Sequence, residues 1–106
     1  MSGMRKSPQI TQKMSLHEAG DGSNLSIELR CTSHSEPQIA WLVNSAQVQD
    51  GGKYKLVFRK EGGADTYYAS LTATGTTKNT SAPTKYEVRL RNDAGESMAW
   101  IQSFLG

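Results

Sequence analysis

The sequence predicts an all-β domain in which two antiparallel sheets pack face to face as a Greek-key sandwich. Three observations carry that prediction. Hydrophobic side chains recur with period two in one segment after another, turn residues separate those segments at short intervals, and no stretch sustains a helical period. About seven or eight short strands spaced in this way fit two layers around one core. A length of 106 residues is the size of a single such domain. Hydrophobic residues at 36% and charged ones at 21% give the balance of a soluble globular chain, and no apolar run approaches the roughly eighteen residues that span a bilayer.

Met1 to Gln9 is basic and polar with no apolar h-region behind it, so no secretory signal is visible. Met1 to Lys6 reads as a disordered lead, and the domain is expected over residues 7–105. Asn24 to Thr32 is the clearest strand: Leu25, Ile27, Leu29 and Cys31 share one phase while Ser26, Glu28, Arg30 and Thr32 take the other. Ser35-Glu36-Pro37 interrupts it, because proline favours a turn and cannot donate to a ladder, and Ile39, Trp41 and Val43 then resume the alternation. Asp50-Gly51-Gly52 marks a turn, Lys53 to Arg59 a strand with Leu56 and Phe58 in phase, and Glu61-Gly62-Gly63 the next turn. Thr66 to Thr74 places Tyr67, Ala69, Leu71 and Ala73 together, which makes Lys53 to Thr74 a β-hairpin. The polar stretch Gly75 to Pro83 reads as a long mobile loop. From Lys85 onward Tyr86, Val88 and Leu90 oppose Lys85, Glu87, Arg89 and Arg91; Asn92-Asp93-Ala94-Gly95 turns the chain into a last strand through Leu105.

These residues carry a resemblance to the intermediate-set immunoglobulin domains over most of the chain. Cys31 ends the second strand, Glu36-Pro37-Gln38-Ile39-Ala40-Trp41 supplies a turn and a tryptophan, Leu71 sits on the later hairpin, and Tyr86 precedes the second family cysteine position by two residues. Asn92-Asp93-Ala94-Gly95-Glu96 is similar to the family's turn before its final strand. The resemblance implies an immunoglobulin-like sandwich whose core holds Cys31, Trp41, Leu71, Tyr86 and Val88, with the Tyr86 hydroxyl bonded to nearby backbone as a tyrosine corner. Two departures stand out: Val88 occupies the second cysteine position, and the acidic residue usual before the family tyrosine is missing around Ala82-Pro83-Thr84. No intersheet disulfide can form, which removes a stabilisation of about 2–5 kcal/mol. Within the family this pattern resembles intracellular domains of the titin, twitchin and obscurin group of giant muscle proteins. A fibronectin type III module is the alternative fold, with Cys31 ahead of Trp41 against it.

Side chains able to do chemistry do not converge. His17, His34 and Cys31 lack zinc-ligand spacing, Asp21-Gly22 and Asp50-Gly51-Gly52 lack the alternating oxygens of a calcium loop, and Gly51-Gly52 and Gly62-Gly63 precede strands rather than helices. No enzyme, metal, cofactor or small-molecule substrate is expected. A net charge of +2, scattered along the chain, argues against nucleic acid, and nothing points to a membrane. A lone Cys31 suits a reducing compartment, whereas the sequons Asn24-Leu25-Ser26 and Asn79-Thr80-Ser81 suit a secreted one. The expected role is a structural and protein-binding module of a cytoplasmic, sarcomeric multidomain protein, monomeric in isolation; the alternative is an adhesion or receptor ectodomain. If Ala99 and Ile101 face inward, then Met98, Trp100 and Phe104 face outward beside Arg89, Arg91 and Leu42. Tryptophan and arginine are enriched at binding hot spots, so these six residues form the candidate partner face, and Trp100 as core or as cross-strand support for Arg89 is the competing reading. Pairing at an exposed sheet edge and phosphorylation of Thr74 to Thr84 are weaker options.

Overall fold

A computed structural model describes residues 6–63 and 65–106. Its elements are β1 (Gln9–Glu18), β2 (Asn24–Thr32), β3 (Gln38–Val43), β4 (Ala46–Val48), β5 (Tyr54–Lys60), β6 (Thr66–Thr74), β7 (Thr84–Asn92) and β8 (Gly95–Ser103). They form two antiparallel four-stranded sheets, ordered β1-β2-β6-β5 and β4-β3-β7-β8. Residues 1–5 of the expected lead lie outside the described residues, and contacts reach one residue past each limit of the expected domain. Asn92 Nδ2 donates to the Lys6 carbonyl at 2.7 Å, and Gly106 exchanges backbone hydrogen bonds with Thr77.

Alternation builds the core. Leu25, Ile27, Leu29 and Cys31 of β2 and Tyr67, Ala69, Leu71 and Ala73 of β6 point into the sandwich from the first sheet; Trp41 of β3 and Tyr86, Val88 and Leu90 of β7 meet them from the second. Every one of these side chains is buried, and each aliphatic residue so removed from water contributes about 1.5–3 kcal/mol. Trp41 sits mid-sheet, directly opposite Val88 on one side and Val48 on the other. The Phe58 and Tyr67 rings stack at 5.6 Å, closing the first sheet's end of the core.

Cys31 is free and 1% exposed, and burial raises its thiol pKa. The thiol should therefore resist aromatic disulfide reagents in the native protein and react at the rate of global unfolding. Rapid labelling without denaturant would show a core that opens locally.

Two strands lie beyond the sequence expectation. β4 follows β3 through a two-residue turn in which Asn44 and Ser45 both take positive φ (49° and 71°), as a primed hairpin turn demands even without glycine. β1 runs beside β2 with two register shifts, between Ile10 and Gln12 and between Gln12 and Ser15. The stretch Gly75 to Pro83, expected to be mobile, is tied down. Thr76 Oγ1 donates to the Gly22 carbonyl at 2.7 Å, Thr76 N to the Ser23 carbonyl, and Asn79 N to the Phe104 carbonyl. Polar loop composition disguised these anchors, because they depend on partners more than twenty residues away.

The tyrosine-corner expectation requires correction. Tyr86 is fully buried, but its hydroxyl donates 2.8 Å to the Leu105 carbonyl, nineteen residues downstream, rather than back to its own corner. The bond therefore secures the end of the chain against β7. Burial, with smaller contributions from Tyr54 and Glu18, pushes the phenol pKa up to about 12. Because the folded state holds this proton more tightly than an unfolded tyrosine, the associated stability is complete below about pH 10 and disappears as pH rises toward 12. Tyr86→Phe should cost about 1–3 kcal/mol at neutral pH, by leaving a buried carbonyl unpaired, and should flatten the alkaline limb of the stability curve. Denaturant melts of both proteins across that range test it; identical limbs would remove Tyr86 from the linkage.

The chain passes through the domain lengthwise. Lys6 lies at the Asn92 end of β7 and Gly106 at the opposite end, beside Thr77 and close to Thr84.

Candidate functional site

The outer face of the β4-β3-β7-β8 sheet presents three cross-strand rows. Trp100, Glu87 and Leu42 form one, Met98, Arg89 and Ala40 the next, and Glu96, Arg91 and Gln38 the third. Ala99 and Ile101 pack against the core, which turns Met98 and Trp100 outward with 48% and 54% of their surfaces exposed. Leu42 is half-buried and stands opposite Glu87, four residues along β3 from Gln38, which faces Arg91.

Glu87 organises the centre of this face, and sequence reasoning missed it. The residue is only 3% exposed although it points away from the core. Trp100 and Leu42 lie directly opposite it on either side, and the cations two residues before and after it close over the carboxylate. Arg89 Nε donates to Glu87 Oε2 at 2.8 Å, and Lys85 Nζ lies 3.8 Å from Oε1. The Lys85 ammonium also sits 5.1 Å from the centroid of the Trp100 ring. Hydrogen bonding to Glu87, then its charge, raises the Arg89 pKa further, so the guanidinium is a fixed cation here. The available signal was the run Lys85-Tyr86-Glu87-Val88-Arg89, with cation, acid and cation in one strand phase.

Phe104 does not join this face, which corrects the sequence expectation. β8 ends at Ser103, whose Oγ accepts from Leu105 N and donates to Glu18 Oε2 at 2.5 Å. The chain bends there, Leu105 turns into the core, and Phe104, 51% exposed, borders a depression with Glu18, Asp21, Gly22 and Lys78 at the end of the sandwich. Strand phase could not anticipate this, because the strand had already stopped.

The outer face of the other sheet is closed on itself. Arg30 grips Glu61 through Nε at 2.7 Å and Nη2 at 3.3 Å, and Arg59 Nη2 lies 3.6 Å from the same carboxylate. Tyr68 lies between the two guanidinium groups, 5.0 Å from Arg30 and 4.3 Å from Arg59. The Arg30 hydrogen bond above all holds the Glu61 carboxyl below its ordinary pKa. Among the described residues no three of His, Cys, Asp and Glu come together to hold a metal ion.

Neither a family model nor a curated protein matches this chain. Solved structures do. Titin M4 in its trigonal form superposes with a TM-score of 0.70 at 19% identity, covering 94% of this chain and 96% of that one. The fold is that of an immunoglobulin-like domain. Titin Z1Z2 in complex with telethonin matches with a TM-score of 0.73 at 17% identity, over 94% of this chain and 48% of that chain. Dpr2 Ig1-Ig2 in complex with DIP-Theta matches with 0.69 at 16%, over 92% of this chain and 32% of that chain. The immunoglobulin strand order is visible directly: β1-β2-β6-β5 corresponds to A-B-E-D, and β3-β7-β8 to C-F-G. In this immunoglobulin-like domain Cys31 and Trp41 occupy the buried positions on strands B and C, while Val88 stands on strand F without a sulfur to meet Cys31. The face containing Trp100 and Arg89 is therefore the outer surface of the C-F-G sheet.

Proposed function

We propose that this domain is a non-catalytic structural and protein-interaction module of a large intracellular multidomain protein of muscle, monomeric on its own and located at the sarcomere. The observation that carries the reading is an immunoglobulin-like core closed around a single free, buried thiol, with valine where the crosslinking cysteine would stand. Such a core suits a reducing compartment. Entry and exit of the chain at opposite ends support the spacer role, since neighbouring domains would continue along the same axis. The likeness to titin M4 and to titin Z1Z2 bound to telethonin supports the muscle setting and protein partners. The half-exposed Trp100 and Met98 beside Arg89 supply the contact face, with Leu42 and Arg91 at its border.

An adhesion ectodomain is the second reading, favoured by the likeness to Dpr2 in complex with DIP-Theta. Its two sequons differ in access. Asn24 is exposed at the start of β2, whereas the Asn79 side-chain nitrogen that would carry a glycan donates to Thr84 Oγ1 at 2.9 Å. Immunoblotting of myofibrillar and membrane fractions, before and after glycosidase treatment, separates the readings. A very large myofibrillar band unaffected by glycosidase supports the muscle module; a membrane or secreted band that shifts overturns it.

A further inference from the structure

β1 and β8 run along the same open edge of the sandwich and are fastened to each other at two points. Near one end Ser97 Oγ donates to the Pro8 carbonyl; near the other, Ser103 Oγ donates to Glu18 Oε2. Between these fastenings β1 carries its two register shifts and leaves a groove of about 270 Å³. Ile10, Met14, Ala99, Ile101 and the Trp100 ring line it, with Lys13 at its border. The Lys85 ammonium lies 5.1 Å from the centroid of the Trp100 ring, and it shares the single carboxylate of Glu87 with Arg89. Lys13 and Lys85 thus stand at this groove against one acid, the Glu87 that Lys85 shares with Arg89, and its walls are apolar.

We propose that the groove is a docking site for an extended acidic segment of a protein partner, one apolar side chain of which enters between Ile10, Met14 and Trp100. The inference deepens the interaction-module reading and rests on it. Apolar walls favour a hydrophobic anchor, and the surplus of positive charge at the border selects acidic flanks over basic ones. Trp100 would then act twice, as groove wall and as the platform beneath Lys85.

The test is an amide-shift titration of the whole domain with the capped peptide Asp-Glu-Phe-Glu-Asp, against Asp-Glu-Ser-Glu-Asp and Lys-Lys-Phe-Lys-Lys. Expected are shifts of the β1 and β8 amides around Ile10, Lys13 and Ala99 and of the Trp100 indole, with the acidic phenylalanine peptide alone. Lys13→Glu and Trp100→Ala should each weaken binding about tenfold while leaving the remaining amide spectrum in place. No response, an equal response to the basic peptide, or shifts confined to Arg89 and Met98 would overturn the proposal. So would concentration-dependent shifts without peptide, which would make a second copy the occupant. Tissue fractionation tests the muscle parent separately, so failure of the docking site and failure of that reading are distinguishable.

Discussion

Replacing Trp41 by alanine is expected to cost about 3–5 kcal/mol and to leave much of the population unfolded at room temperature. The indole is 1% exposed and fills the space between Val88 and Val48 in its own sheet while facing the β2 and β6 side chains of the other. Without a crosslink between the sheets, the cavity left behind is opposed only by repacking of aliphatic neighbours. A small domain commands about 5–15 kcal/mol in total, so one such loss changes its fate. Urea titration followed by circular dichroism measures it. A midpoint within error of the parent would mean that the tryptophan is not a principal support of the core.

A smaller loss is expected at the opposite surface of the same sheet, from removing charge rather than volume. Lys85→Ala combined with Arg89→Ala takes both cations from the Glu87 carboxylate, 3% exposed in the parent, but also uncovers it to water, so the cost is about 1–3 kcal/mol. Adding Glu87→Met in that background should recover most of the stability, because an apolar side chain tolerates a site that an unpaired carboxylate does not. Thermal melts of the double and triple variants decide the matter. If Glu87→Met fails to rescue, the loss came from the lysine and arginine stems and not from stranded charge.

How far the fold was legible depended on where each strand lies. β2 and β6 were readable to their ends, Asn24–Thr32 and Thr66–Thr74, because central strands with one buried face alternate without interruption. β1 was not: Ile10 and Met14 pack against the core, but Gln12 between them pairs with Arg30 and accepts from its Nη1 on the outer face, because the register shifts on either side of Gln12 break the period. β4 has three residues and a turn built on Asn44-Ser45, where the positive φ is carried by residues that rarely announce it. Within the candidate face, the outward phase of Met98 and Trp100 follows from the alternation of β8. The burial of Glu87 does not: an acid in the outward phase reads as solvated until its cross-strand neighbours are known to be Trp100 and Leu42. Phe104 and Tyr86 show the same limit, for their surroundings are set by the bend after Ser103 and by the course of the last few residues.

The fastenings between β1 and β8 also bear on how such a chain is born. Pro8 and Ser97, and Glu18 and Ser103, are separated by eighty-nine and eighty-five residues, so the first strand must wait for nearly the whole domain to be synthesised before its second neighbour exists. Until then it can pair only with β2, and the Ile10–Met14 edge stays open to whatever else is nearby. In a polypeptide carrying many similar domains in a row, that delay is the interval in which a strand from the wrong repeat could be captured. The irregular pairing and the exposed lysine at position 13 make β1 a poor template for such a stranger.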